Sequence, residues 1–389
     1  MVSPTALALL TTAFAEGARR NRALGLWGAV GSAGAIAGQL LGGLITDALG
    51  WRWIFLLNVP VGIVVVLVAR STLHESRDDS RPRLDAGGAV LLTAGLALAT
   101  FTLTRAAEGV AVGPTAGLAL AAVVLLAGFA LHERRHAEPL VRFSLFRLPG
   151  VRIGTFTLGL NAGALGGAMF FTTLYLQRVL GYSPLAVGAA FAPITVLILV
   201  IAPRAGALTT RFGARRLLTG GLLILGLGML ALARVPADGS YWIDVLPGML
   251  LLAVGSGLSY APTFVAGTSG VAERDQGLAS GLLSSAQELG AGLGLAVLAT
   301  VAAGSLATSA SAADTGSLVS GYRAGYLAAA GLMAVAAVVA SRLPGAIGRP
   351  LAVTPAASGS VEDHPCVGAA PGADPAVDDA GRRLGQLGP

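Results

Sequence analysis

Gly50-Trp51-Arg52-Trp53-Ile54-Phe55-Leu56-Leu57-Asn58-Val59-Pro60-Val61-Gly62 runs on through Ile63 to Ala69 and ends at Arg70, so that Trp53 to Ala69 carries no charge between two arginines. A bilayer core about 30 Å thick is crossed by about 20 helical residues, with roughly 17 to 25 tolerated. Trp53 to Ala69 meets that length, and the same pattern recurs along the chain. Full spans are expected at Ala23 to Leu44, Trp53 to Ala69, Ala86 to Leu103, Thr115 to Leu131, Ile153 to Leu176, Pro184 to Ala202, Leu217 to Ala233, Val245 to Val265, Leu278 to Val301 and Tyr322 to Ser341. Lipid offers no partner to an unpaired amide, and these runs lack the period-two polarity of barrel strands, so each is read as a helix. The fold class is an all-α polytopic membrane protein.

The connections alternate in charge. Ala15 to Arg22, Arg70 to Asp85, His132 to Arg152, Pro203 to Arg216 and Ala266 to Gly277 together hold 17 arginines, whereas the five connections between them hold one each: Arg52, Arg105, Arg178, Arg234 and Arg323. Arginine-rich loops are retained in the cytoplasm during insertion. The asymmetry therefore predicts a multi-pass protein of the cell membrane with a cytoplasmic C-terminal tail. It also accounts for the net charge of +6 without nucleic acid, because most of the basic residues lie in those loops and in the tail.

Composition narrows the class further. A mean hydropathy of +0.75 with 54% apolar and 12% charged residues lies outside the range of soluble domains. The single cysteine, Cys366, permits neither an intramolecular disulfide nor a thiolate metal site. Met1-Val2-Ser3-Pro4 has no basic n-region, so no signal peptide is expected. No nucleotide loop, metal-ligand cluster or nucleophile constellation is evident, and the chain is not expected to be an enzyme. Val2 to Phe14 is apolar but too short to span and reads as half of a helix. Leu140, Phe143, Phe146 and Leu148, interleaved with Arg142 and Arg147, fit either a short interfacial helix or a solvated linker. Beyond Pro344 the chain turns to Pro, Gly, Ala and Asp and is expected to be disordered. A weak echo relates Pro4-Thr5, Ala15-Glu16 and Ala23-Leu24 to Pro262-Thr263, Ala272-Glu273 and Gly277-Leu278, as in transporters built from parallel repeats.

Several strings carry a family resemblance. Gly34-Ala35-Ile36-Ala37-Gly38-Gln39-Leu40-Leu41-Gly42-Gly43-Leu44 resembles the antiporter signature GxxxGPxxGGxL, with Gln39 in place of Pro. The string from Gly50 to Gly62 is similar to the turn between helices five and six of the fourteen-helix drug:proton antiporter family of the major facilitator superfamily. Glu138-Pro139-Leu140 with Leu145-Phe146-Arg147 resembles that family's segment before helix nine. Gly206-Ala207-Leu208-Thr209-Thr210-Arg211-Phe212-Gly213-Ala214-Arg215-Arg216 is similar to the GxLxDRxGRR loop, with Thr210 replacing the acidic residue. Gln276 to Gly281 and Leu289 to Gly294 resemble the entry to helix thirteen.

The resemblance implies a major facilitator fold with an incomplete N-terminal bundle of half of helix four plus helices five and six (residues 1–70). It implies a linker with two extra transmembrane helices and a cytoplasmic segment (71–152), a six-helix C-terminal bundle (153–341) and a tail (342–389). On this map helices one to three and most of helix four are not represented. It further implies Gly34, Gly38, Gln39, Gly42 and Gly43 as an antiporter-motif helix, and Gly206, Arg211, Gly213, Arg215 and Arg216 as a cytoplasmic gating loop.

Among Asp and Glu, Glu288 alone falls inside an expected span, about 15 Å past Leu278 at about 1.5 Å per residue. A carboxylate at that depth is either a proton carrier or a protonated hydrogen-bond donor between helices. Asn58, Asn161, Tyr175, Gln177 and Tyr260 are candidates for a substrate path or for hydrogen bonds between helices. Met169, Phe170 and Phe171 fit a pliable binding wall or lipid-facing packing. The expected function is proton-coupled efflux of small amphipathic compounds by alternating access. Alternatives are an uptake permease on the same fold and a non-transporting remnant. The expected partners are the lipid bilayer and a small-molecule substrate, without nucleic acid or an obligatory protein partner. No cofactor is expected, the proton gradient serving as energy source.

Overall fold

The computed structural model describes residues 14, 18–72, 85–107, 112–136, 142–307, 315–345 and 347. The half-helix expected at Val2 to Phe14, apart from exposed Phe14, and the tail from 348 onward lie outside the described residues, as do Leu140 and Glu138.

Eleven α-helices make up the described structure: α1 (Ala18–Leu49), α2 (Arg52–Thr72), α3 (Ala86–Ala107), α4 (Val112–Glu133), α5 (Pro149–Arg178), α6 (Pro184–Ala190), α7 (Ala192–Phe212), α8 (Ala214–Leu232), α9 (Leu246–Thr268), α10 (Gln276–Ala307) and α11 (Thr315–Ala340). Short 3-10 turns cover Phe143–Arg147 and Glu273–Asp275, and a π turn covers Tyr241–Val245. Among the described residues nine segments are long and apolar enough to cross a membrane, α6 and α7 together forming one of them. α1 contains the remaining expected span.

Helix ends differ from the expected boundaries for a physical reason. Hydropathy marks only the hydrocarbon core, whereas a helix continues into the interface until backbone chemistry stops it. The connection expected over Pro203 to Arg216 contracts to one residue, Gly213, whose φ of 86° and ψ of 150° suit glycine and separate α7 from α8. Gly206 is therefore helical rather than part of a loop. Within the expected span from Pro184 to Ala202 the helix breaks at Phe191, because Pro193 at the start of α7 supplies no amide hydrogen. Ser183 caps α6, its hydroxyl accepting from the Ala186 amide at 3.2 Å, and Pro184 follows in the first turn. Pro149 opens α5 in the same way.

α5, α7, α8, α9, α10 and α11 pack into a bundle around a core that includes Phe171, Tyr175, Leu222, Met249, Tyr326 and Met333. Lipid tails are as apolar as these side chains, so close packing rather than water exclusion supplies the cohesion. The crossing of α5 and α10 shows how. A Cβ on Gly163 would lie 2.6 Å from the Gly290 oxygen and 2.9 Å from the Gly294 Cα, so the two backbones meet with no side chain between them. Inside the same core the Thr172 and Tyr326 hydroxyls hydrogen-bond at 2.8 Å. α3 and α4 form a hairpin that rests on α10, the Thr300 hydroxyl donating to the Leu103 carbonyl at 3.4 Å. α1 packs along α6 and α7, whereas the membrane-length window of α2 has no buried residue.

Candidate functional site

A cavity of about 190 Å³ lies between α1, α5, α9 and α10, lined by Gly31, Leu158, Asn161, Ala162, Leu165, Ser256, Tyr260 and Gln287. Counting from the arginine-rich end of each helix at about 1.5 Å per residue, Gly31, Asn161, Tyr260 and Gln287 sit roughly 12 to 20 Å deep. That is mid-membrane depth for a core about 30 Å thick. Gly31 adds no side chain to the α1 wall, and the polar groups come from the other three helices.

Asn161 is 4% exposed, and its side-chain carbonyl oxygen has no hydrogen-bond partner among the described residues. A buried acceptor left unpaired costs about 1 to 3 kcal/mol, so a ligand that donates a hydrogen there recovers it. The Tyr260 hydroxyl donates to the Gln287 side-chain oxygen at 3.3 Å. Its ring stacks on Trp27 with centroids 5.9 Å apart and planes 25° apart, and Phe264 meets Trp27 edge-on at 4.9 Å. The Tyr260 ring beside the amides of Asn161 and Gln287 forms an amphipathic wall, backed by Trp27 and Phe264: area for an apolar body and a few fixed points for its polar groups.

Toward the arginine-rich end the cavity is closed in two layers. Leu24, Leu158, Phe264 and Leu283 are fully buried together, with Trp27 and Tyr260 packed on them. Beyond that plug the Arg20 guanidinium, 4% exposed, donates to the Gln276 side-chain oxygen at 2.9 Å. The Gln276 amide in turn donates to the carbonyls of Val271 at 2.8 Å and Thr268 at 3.2 Å. Alongside, a Cβ on Gly25 would lie 3.2 Å from the Gly206 nitrogen and the Ala202 oxygen, so α1 and α7 touch backbone to backbone.

The structure thus brings Asn161 and Tyr260 together and separates Asn58 and Tyr175 from them. Asn58 is exposed on α2, its amide donating back to Ile54 at 3.3 Å. Tyr175 is a core residue whose hydroxyl donates to the Pro236 carbonyl at 2.7 Å. Phe171 is likewise buried in the core rather than facing lipid, while Phe170 is exposed. Glu288 follows Gln287 on α10 and is exposed. In the glycine-rich helix, Gly43 packs on α6, where a Cβ would lie 2.7 Å from the Pro184 oxygen, but Gly34, Gly38 and Gly42 meet no described atom within 4 Å. With Gln39 in place of proline, α1 runs unbroken for 32 residues. Arg211 lies over the Phe212 ring at 5.3 Å, and Arg215 and Arg216 are exposed at the start of α8.

Sequence reasoning missed Arg20, Trp27, Gln276 and Gln287. Arg20 counts as one of many loop arginines until its partner 256 residues away is seen, and Gln287 is masked by its charged neighbour. It also nominated no metal ligands, yet Asp85, His132 and His136 converge at the ends of α3 and α4. The signal available was the spacing of His132-Glu133-Arg134-Arg135-His136.

Comparison with known proteins adds the family. The sequence profile described as Major Facilitator Superfamily matches residues 1–295. The cephamycin export protein CmcT of Amycolatopsis lactamdurans is 39% identical over 88% of this chain and 71% of its own length. The puromycin resistance protein pur8 of Streptomyces alboniger is 36% identical, over 87% of this chain and 69% of that protein. The tetracenomycin C resistance and export protein of Streptomyces glaucescens is 35% identical, over 78% of this chain and 56% of that protein.

Proposed function

This chain belongs to the major facilitator superfamily, and we propose that it exports small amphipathic compounds of the antibiotic type through the cavity between α1, α5, α9 and α10, driven by protons. The observation that carries the reading is a mid-membrane cavity lined by Asn161, Tyr260 and Gln287, with the Asn161 side-chain carbonyl buried and unpaired among the described residues. Three relatives named for export of, or resistance to, an antibiotic support the direction and the substrate class. The fourteen-helix drug:proton antiporter branch is the assignment that the string from Gly50 to Gly62 favours.

In this reading the arginine-rich connections and the tail face the cytoplasm of a cell membrane. The conformation described is closed on that side by the Leu24 plug and the Arg20–Gln276 pair. To admit substrate from the cytoplasm, α1 moves off α7, α9 and the turn before α10, breaking the Arg20–Gln276 hydrogen bond and the Gly25–Gly206 contact. Glu288 is the proposed proton carrier: it follows Gln287 on α10, and a carboxyl inside a span is neutral when protonated and charged once it releases its proton. No cofactor takes part.

Antibiotic susceptibility in an efflux-deficient host tests this. Expression is expected to raise the tolerated concentration of several amphipathic antibiotics, and Asn161→Leu and Tyr260→Ala to change which compounds are affected while membrane abundance holds. An unchanged resistance profile in both variants would remove the cavity from the substrate path.

A further inference from the structure

The chain HERRH at 132–136 closes α4, and it meets the first residue before α3. His136 follows His132 by one helical turn, and the His136 amide still donates to the His132 carbonyl at 3.0 Å, so both imidazoles project from one face. Their ring centroids are 5.3 Å apart. Asp85, whose side chain is only 2% exposed, lies opposite: its Oδ1 is 2.8 Å from His132 Nε2 and 3.9 Å from His136 Nε2. The three ligand-type atoms all fall within 4.8 Å of one another.

We propose that Asp85, His132 and His136 bind a divalent transition-metal ion of the zinc class, which ties the start of α3 to the end of α4. His136 Nε2 lies 3.9 Å from the oxygen that His132 Nε2 meets at 2.8 Å, so both rings converge on one carboxylate atom. A four-coordinate ion with bonds of about 2.0 to 2.1 Å holds its ligand atoms roughly 3.3 Å apart. His132 would withdraw and His136 approach by about 0.5 Å each, a movement within side-chain freedom.

A second observation points to a cation independently. Asp85 Oδ2 is buried and has no hydrogen-bond partner among the described residues. The Gly88 amide donates to Oδ1 at 2.8 Å. Asp85 Oδ2 thus has a lone pair to spare. Two imidazole nitrogens and one carboxylate oxygen suit zinc and its neighbours rather than magnesium or calcium, which prefer oxygen throughout. The imidazoles are 36% and 30% exposed, leaving a route for the ion and room for a water as fourth ligand. Glu133, the acid of the HExxH string, is 2% exposed with its carboxylate beside Gly88, which fits a tether and not a hydrolytic centre.

The test is calorimetric titration of the detergent-purified full chain, free of any histidine tag, with zinc chloride, together with the visible spectrum of the cobalt(II) form. One zinc per chain is expected, uncontested by excess magnesium, and cobalt should show the intense bands of a four-coordinate site. His136→Gln and Asp85→Asn should each weaken zinc by tenfold or more, with helix content by circular dichroism unchanged. Absence of saturable zinc binding in the wild type, or equal affinity in His136→Gln, would overturn the assignment.

Discussion

Asn161 and Glu288 illustrate how differently single residues declare themselves. Glu288 stands out in the sequence because it is the acid inside a span. If it carries protons as proposed, it should tolerate Glu288→Gln for insertion and substrate binding but lose proton-driven export, because the amide keeps size and polarity without ionising. Normal export by this variant from about pH 6 to about pH 8 would make the residue structural. Asn161 gives no such signal, since asparagines in membrane helices more often bond to a neighbouring helix. Only the structure shows its carbonyl without a partner. Replacing Asn161 by Leu is expected to weaken substrate binding about tenfold, the worth of one hydrogen bond at about 1 to 1.5 kcal/mol. Equilibrium binding to purified protein measures it, and an unchanged dissociation constant would show that substrate does not use this acceptor. Tyr175 shows the reverse case: a polar residue in a span whose hydroxyl donates to the Pro236 carbonyl.

At the scale of elements, the apolar runs made the spans legible, because charge is excluded from the hydrocarbon core whatever the tertiary packing. Which helices touch was not legible, since glycines occur on many faces and only backbone approach distinguishes them. Gly163 is buried against Gly290 and Gly294, whereas Gly34 and Gly38, in the more conspicuous motif, meet no described atom. Gly163→Val is therefore expected to destabilise the α5–α10 crossing by about 1 to 3 kcal/mol, the usual cost of overpacking, and Gly34→Ala to leave the described packing unchanged. Thermal unfolding in detergent reads both, and equal midpoints for Gly163→Val and wild type would contradict the crossing. The Arg20–Gln276 pair belongs to this scale too, because it joins α1 to the turn ahead of α10. Arg20→Ala should raise the rate at which a thiol reagent reaches a cysteine placed at Ala162 from the arginine-rich side, in a Cys366→Ala background. A rate equal to that with Arg20 intact would show that the pair does not hold that side closed.

For the whole molecule, the alternation of 17 arginines against five is a global property and was readable without any structure. The cavity is global in another sense: its walls come from residues as far apart as Gly31 and Gln287, and nothing local predicts their meeting. Alternating access ties the two together, because a cavity at mid-membrane depth with a two-layered closure toward the arginine-rich side is useful only if that closure opens while the opposite side shuts. The central claim is that protons drive an amphipathic compound through this cavity. Its most direct test is purified protein in proteoliposomes loaded with a fluorescent amphipathic antibiotic, with the outer buffer acidified around vesicles whose arginine-rich loops face inward. The account predicts faster release of the compound than without the gradient, abolished by a protonophore and by Glu288→Gln. Release at one rate with and without the gradient would contradict it.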